Sequence, residues 1–277
     1  MLRMQDFVNN FVPLQRVLRN TDILKIMDKV GTYEFLAEPF HCDFSGRLFM
    51  GHLGNHMLNA ADYHSTDRGF GMQYLMSIQR SWVLSRLAIE MEEMPQQYTR
   101  FNVETWVENA MRFFTQRNFR VAGKDGQVYG YGRSVWAMID TETRQPTDLF
   151  AIDNGSLRNW IENEKPCPIE KGGRVRMSDE AQLVHSIDTY YNDVDINGHI
   201  NSVKYIEHVL DLWPIDWYHT HRIHRIEIAY VAEAHAGDRL SFYREQTADN
   251  AFNVRITRSD NTEVARCHVD FNEVSGV

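Results

Sequence analysis

The chain repeats one order of structural elements twice, and this internal duplication constrains its fold more than any other feature. In each half, apolar residues at spacings of three and four predict a helix, and stretches of alternating apolar and polar residues then predict strands. The apolar residues of the predicted helices are Met50, Leu53, Met57 and Ala60 in the first half and Ile200, Val203, Ile206 and Leu210 in the second. The duplication therefore predicts two copies of one α+β unit.

Both halves also end in a predicted hairpin. In the first half, residues 123–126 form the turn and residues 128–139 form the returning strand. In the second half, residues 259–261 form the turn and residues 264–271 return. The predicted helix starts correspond as well, because His52 in the first half stands where His199 stands in the second.

A long helix wrapped by a curved antiparallel sheet is the hot-dog arrangement, so two fused copies predict a double hot-dog. An unspecified pair of α+β domains is the alternative. Prolines and glycines are frequent between the halves, which indicates a linker. The predicted divisions are an N-terminal extension (1–30), a first hot-dog unit (31–145), the linker (146–180) and a second hot-dog unit (181–277).

Net charge, apolar runs and cysteine content argue against several classes of protein. Lysine and arginine number 29 against 38 acidic residues, and a net charge of −9 argues against a general nucleic-acid surface. No apolar run approaches the roughly 20 residues that a membrane helix requires. The three cysteines form neither a disulfide framework nor a metal motif, so we expect reduced thiols and a cytoplasmic protein. For the N-terminal segment, an accessory helix, an organelle presequence and an upstream start before Met27 remain open.

Residues 192–205, with the sequence Asn-Asp-Val-Asp-Ile-Asn-Gly-His-Ile-Asn-Ser-Val-Lys-Tyr, resemble a known signature. The run is similar to that of the acyl-acyl carrier protein thioesterases of plant plastids and bacteria. Residues 104–107 and 134–138 extend the resemblance into the first half, so it covers about residues 31–272. It implies a double hot-dog fold and hydrolysis of acyl-acyl carrier protein (acyl-ACP) to free fatty acid, which ends chain elongation in fatty acid biosynthesis.

The resemblance implies that Asp195, Asn197 and His199 belong to the active site. His199 would act as the base, since an unperturbed imidazole titrates near pH ~6.5. Asn197 would polarise the thioester or hold the water, and Asp195 would orient Asn197 or His199. On local chemistry alone, Asp195 and Asn197 are typical of helix caps. Gly198, at the predicted helix start, could present a backbone N–H to the carbonyl oxygen.

Residues 230–234 resemble the family segment in which an acidic residue follows a tyrosine and precedes a cysteine. Glu233 matches the acid, which implies that it activates water or steadies the imidazole; a solvated glutamate at a strand end is the alternative. Ala234 stands where the plant enzymes have cysteine. Because that thiol is missing, we favour water attack assisted by His199 and Glu233 over a covalent Cys–His route.

The first half is predicted to supply the acyl-chain pocket. Methionine suits a flexible alkyl chain because it adapts its shape, although ordinary core packing is the alternative. The predicted substrate-binding residues are Met50, Met57, Met72 and Met76. His52 lacks the polar neighbours of His199, which favours a structural role. The other histidines show no repeating ligand spacing, so we predict no metal and no cofactor.

The implied partner is an acyl carrier protein that carries a fatty acyl chain. Because carrier protein is acidic, its binding requires a local basic surface. The candidate basic residues are Arg112, Arg117, Lys204, Arg222 and Arg225. Two rival functions remain open, an acyl-CoA thioesterase of the same fold and a non-catalytic acyl-binding hot-dog protein. A homodimer through exposed sheet edges is a further expectation.

Overall fold

The structure, a computed structural model, describes residues 28–274. Its strands are β1 (Gly31–Leu36), β2 (Arg80–Met91), β3 (Arg100–Ala110), β4 (Phe114–Gly123), β5 (Val128–Asp140), β6 (Gln182–Asp188), β7 (His221–Tyr230), β8 (Arg239–Ala248), β9 (Ala251–Arg258) and β10 (Glu263–Glu273). Its α-helices are α1 (Met50–Asp67), α2 (Met72–Ser77), α3 (Ser202–Leu210) and α4 (Ile215–Thr220). Apart from residues 28–30, the predicted N-terminal extension lies outside the described residues.

The strands form one antiparallel sheet in the order β1-β3-β4-β5-β2-β7-β10-β9-β8-β6. Reading outward from the centre, β2, β5, β4, β3 and β1 correspond to β7, β10, β9, β8 and β6, so each half has the same strand order. The halves join where β2 pairs with β7, from Arg86 opposite Ala229 to Glu90 opposite Arg225. The predicted duplication and α+β double hot-dog are therefore confirmed. The boundaries at 31–145, 146–180 and 181–277 stay predictions.

The alternating residues of the sequence form the strands because one side of the sheet covers a core. In β3, Phe101, Val103 and Thr105 are buried, while Asn102 and Glu104 between them are partly exposed. Buried side chains from both halves form one cluster, in which Leu53 and Phe119 share a core with Ile206 and Val254. Burying one such side chain contributes about 1.5–3 kcal/mol to folding, so the two halves stabilise each other through this shared core.

The two central helices pack closely against each other. A Cβ at Gly51 of α1 would lie 2.7 Å from Cγ of Glu207 of α3, so a larger residue there would force the Glu207 side chain to move. This contact brings the start of α1 close to α3 of the other half. Within residues 28–274, no helix is long and apolar enough to cross a membrane.

The predicted start of the second helix at His199 is wrong. Helix α3 begins at Ser202, and Asn201 caps it by accepting a hydrogen bond from the Val203 N–H at 3.0 Å. The residues before Asn201 form a separate turn, because their backbone groups bond to one another and to Asp195. Helix α3 ends at Leu210, and Pro214 directly precedes α4.

Candidate active site

Both halves line one cavity of about 930 Å³. The first half contributes residues of α1, α2, β2, β4 and β5. The second half contributes residues 195–197, 199–202, 205 and 230–233. Asp195, Asn197, His199 and Glu233 all line this cavity, so the fold brings the four predicted catalytic residues to one place.

Asp195 organises a tight turn that positions His199. Its carboxylate accepts hydrogen bonds from the Asn197 N–H at 2.8 Å and from the His199 N–H at 3.3 Å. Its backbone N–H donates to the His199 carbonyl at 2.8 Å, which closes the turn. The Asn197 side chain amide also donates to the second Asp195 oxygen at 3.4 Å. Asp195 therefore fixes the backbone around His199 rather than acting as the cap of a helix.

His199 contacts Glu233 in the wall of the cavity. The imidazole Nε2 lies 3.3 Å from Oε2 of Glu233. The His199 side chain is 25% exposed and that of Glu233 is 39% exposed, so both groups are accessible to substrate and to water. An imidazole in this position can act as a general base, and the carboxylate can stabilise the imidazolium that forms.

Arg144 supplies a third charged group from the other half. Its guanidinium forms an ion pair with Oε1 of Glu233, while Oε2 faces His199. Arg144 lies in the turn after β5, with a left-handed φ of 58°, and its N–H donates to the Asp140 carbonyl at 2.9 Å. No sequence signal pointed to Arg144, because the pair spans 89 positions and depends on how the two halves meet.

No thiol lines the cavity in the described part of the chain. Ala234, at the position of the plant cysteine, is 1% exposed, and its carbonyl accepts from the Ile200 N–H at 2.8 Å. Cys267 is fully buried, and this burial raises the pKa of its thiol far above the usual range. A thiolate is therefore disfavoured at Cys267 and absent from the site.

Gly198 stabilises the turn through its backbone. Its φ of +80° is a conformation that favours glycine, and its N–H donates to the Asp195 carbonyl at 3.0 Å. Because this N–H is already bonded, the geometry gives no support to its predicted role toward a substrate oxygen. Ser202, the first residue of α3, lines the cavity instead, and its carbonyl accepts from the Tyr230 hydroxyl at 2.9 Å.

The four predicted substrate-binding methionines separate into two groups. Met72 and Met76, on α2, line the cavity. Met50 and Met57, on α1, do not line it, which corrects their predicted place in the pocket. They are 3% and 0% exposed in the shared core, because this face of α1 packs against the sheet and not toward the cavity.

His52 does not line the cavity either. Its ring stacks on that of His41 with centroids 4.0 Å apart, and burial lowers its pKa. Within residues 28–274, His52 forms no ion pair like that between His199 and Glu233. His52 is the natural reference for His199 in experiments.

Two of the five basic residues proposed for carrier protein binding are buried. Arg117 is 6% exposed, and Arg225 is 7% exposed and pairs with Glu90 and Glu227. Arg117 lies on the core side of β4, whereas Arg225 lies on the opposite side of β7 from Ile228 and donates to the Glu170 carbonyl at 3.1 Å, so neither can form a docking surface. The side chain of Arg112 is 70% exposed and stays a candidate, as do Lys204 and Arg222.

One group of side chains has donor atoms close enough for a metal ion. His199, Glu233 and His235 offer ligand atoms within 4.8 Å of one another. However, Glu233 already pairs with the Arg144 guanidinium, whose positive charge opposes binding of a cation. The predicted absence of a metal cofactor stays a prediction.

Two family models match the chain. The acyl-ACP thioesterase N-terminal domain matches residues 29–151, and the acyl-ACP thioesterase C-terminal domain matches residues 176–273. A crystal structure described as an acyl-ACP thioesterase from Bacteroides thetaiotaomicron is 52% identical. That comparison covers 88% of this chain and 98% of the other, with a TM-score of 0.83.

More distant relatives come from plants. A structure of the 12:0-ACP thioesterase from Umbellularia californica is 18% identical over 90% of this chain and 99% of that chain, with a TM-score of 0.79, which shows a shared fold. The chloroplastic palmitoyl-acyl carrier protein thioesterase of Gossypium hirsutum is 24% identical over 62% of this chain. The match spans 44% of that cotton relative's own length and 50% of the Cinnamomum camphora dodecanoyl-[acyl-carrier-protein] hydrolase.

Proposed function

The chain belongs to the acyl-ACP thioesterase family, and from this we propose that it hydrolyses fatty acyl-ACP to free fatty acid and carrier protein. The observation that carries the proposal is the 3.3 Å contact between His199 and Glu233 in a cavity lined by both halves. A pocket that only bound acyl chains would not require a polar pair of this kind in its wall. The relatives from cotton and camphor tree are named for the same class of substrate.

We assign the base to His199. Its Nε2 faces Glu233, so Nδ1 takes a proton from a water molecule, and the water oxygen attacks the thioester carbonyl carbon. The carbon–sulfur bond of the resulting tetrahedral intermediate then breaks, and the protonated imidazole returns the proton to the leaving thiolate. Glu233 stabilises the imidazolium through Oε2, so it supports the charge that develops on His199.

The carbonyl oxygen gains negative charge during the attack and requires hydrogen-bond donors. We assign this role to the Asn197 side chain amide, because its hydrogen bond to Asp195 is long, at 3.4 Å, and it lines the cavity. The Ser202 N–H is the second candidate donor, since it starts α3 beside the cavity. Asp195 acts through the turn by holding Asn197 and His199 in position.

The direct test is hydrolysis of one acyl chain presented on carrier protein and on CoA, with release of free thiol as the measurement. We expect His199→Ala to lower kcat/KM toward acyl-ACP by about 10²–10⁴-fold, the usual contribution of a general base. His52→Ala is the matched control, because this residue of the first copy does not line the cavity. We expect it to retain wild-type turnover.

The outcomes separate the rival functions. Faster turnover of acyl-CoA would assign a CoA thioesterase of the same fold, and binding of acyl-ACP with no release of thiol would assign an acyl-binding protein. Wild-type activity in a folded His199→Ala variant would contradict the proposed base. A cytoplasmic location and a homodimer stay predictions, and light scattering on the purified chain tests the second.

A further inference from the structure

A guanidinium forms part of the cavity wall away from the catalytic turn. Arg117 lies on β4, lines the cavity and is 6% exposed. It shares one side of the strand with buried Thr115, Phe119 and Val121. A charged side chain is thus placed where an alkyl pocket would normally present an apolar one.

Two hydroxyl groups hold Arg117 in this position. Its Nη1 donates to Oγ1 of Thr105 and its Nη2 donates to Oγ of Ser65, each at 3.1 Å. Thr105 donates in turn to the Asn118 carbonyl at 3.0 Å, and Ser65 donates to a carbonyl of its own helix at 2.9 Å. Both hydroxyls are therefore oriented as acceptors, and the guanidinium is held in one geometry.

The charge on Arg117 is not balanced within residues 28–274. A guanidinium has five N–H donors, and the described residues accept from two of its nitrogens, with no carboxylate among the acceptors. Asp62 attracts the guanidinium from beyond ion-pair distance, while the nearby Arg68 repels it. Burial lowers the pKa of Arg117 to about 10, so the group remains charged at neutral pH.

Arg117 lies three strands away from β7, the strand that leads into Glu233. In the sheet, Arg117 is opposite Ser134 of β5, Ser134 is opposite Leu87 of β2, and Leu87 is opposite Ile228 of β7. Neighbouring strands are about 4.8 Å apart, so these three steps separate Arg117 from β7 by about 14 Å. An acyl chain whose thioester lies at His199 can therefore extend toward Arg117.

We propose that Arg117 binds an oxygen function, a hydroxyl or a carboxylate, near the far end of the acyl chain. The inference rests on the proposed thioester hydrolysis for the position of the near end. A buried charge is costly unless a polar group or opposite charge pairs with it, and a terminal oxygen would accept the remaining N–H donors. A methyl end at the same place would leave those donors without an acceptor.

The test compares acyl-ACP substrates of equal chain length, from octanoyl to hexadecanoyl, that end in a methyl, a hydroxyl or a carboxylate. We expect kcat/KM to be about 10- to 100-fold higher for the oxygenated chain that reaches Arg117, the value of a hydrogen bond to a charged group. Arg117→Met should remove this preference, and Arg117→Lys should retain part of it.

The matched control is Arg68→Met. Arg68 is also a buried arginine, at 7% exposure, but it bonds to the backbone carbonyls of His64 and Asp28 and does not line the cavity. We expect this variant to keep the preference for oxygenated chains. Equal preference in wild type and Arg117→Met, or a wild type that favours methyl ends, would overturn the proposal.

A binding measurement separates this inference from the proposed function. Free fatty acids and their terminal hydroxy and dicarboxylic analogues are titrated into the wild type and both variants, with thermal stabilisation as the readout. A preference for oxygenated acids that depends on Arg117, without any thioester hydrolysis, would refute the proposed function but support this site. Hydrolysis with no such preference in either assay would refute the site alone.

Discussion

Arg144 and Glu233 are predicted to act as one unit on His199, because Arg144 contacts the carboxylate that faces the imidazole. Glu233→Gln removes the carboxylate charge that lies 3.3 Å from His199 Nε2. With an effective dielectric constant of about 40, between bulk water and a protein surface, Coulomb's law gives about 2.5 kcal/mol for that contact. Each 1.36 kcal/mol of transition-state stabilisation is tenfold in rate, so we expect kcat/KM to fall by about 70-fold.

Arg144→Ala removes only the group that fixes the other carboxylate oxygen. An exposed ion pair of this kind contributes up to about 1 kcal/mol, so we expect a loss of up to about fivefold in kcat/KM. In the double variant Arg144 has no carboxylate to position, and its removal should cost nothing further. The predicted kcat/KM of the double variant therefore equals that of Glu233→Gln alone.

The assay is release of free thiol from acyl-ACP by the four proteins of this cycle, with thermal unfolding as the check on folding. Arg239→Ala is the matched control, because Arg239 forms a similarly exposed ion pair with Asp188 away from the cavity. Its kcat/KM should equal that of the wild type. Losses that multiply in the double variant would refute the coupling, and full activity of Glu233→Gln would refute the role of the carboxylate.

Three further predictions follow from buried and clustered groups. Burial lowers the pKa of His64 to about 2, so below pH 6.5 only the unfolded chain binds a proton at this residue. The free energy of unfolding should therefore fall by about 2 kcal/mol between pH 7 and pH 5. Denaturant titrations of His64→Gln should lack that loss. Catalysis should survive treatment with EDTA; a loss that zinc reverses would assign a metal to His199, Glu233 and His235. Cys267→Ala should keep wild-type kcat/KM, since the buried thiol lies outside the cavity, and an inactive but folded variant would contradict water attack.

The sequence predicted the duplication and the local strands because both depend on short-range patterns. The alternation in β3 and the spacing in α1 are readable along the chain. The junction between β2 and β7 was not predicted, since pairing between distant strands leaves no local pattern. The start of α3 was misplaced because helical spacing continues backward through Ile200, while the hydrogen bonds of Asp195 hold the preceding residues in a turn.

The candidate site was predictable where its residues belong to segments that resemble the family, which include Glu233. Asp195, Asn197 and His199 belong to one turn, whereas Arg144 reaches Glu233 from the other half. Arg117 was grouped with surface arginines on charge alone. Its position in the strand predicts burial instead. Arg117 alternates with the apolar Phe119 and Val121, so all three lie on the side of β4 that covers the core.

The most direct test of water attack assisted by His199 and Glu233 is a single turnover of acyl-ACP in heavy-oxygen water, with mass spectrometry of the released acid and of the intact protein. We expect one heavy oxygen in the free fatty acid, no acyl group on the protein at any time, and slow release by His199→Ala. Unlabelled acid, a heavy oxygen left in the protein, a trapped acyl-enzyme, or no release of acid at all would contradict direct hydrolysis at this site.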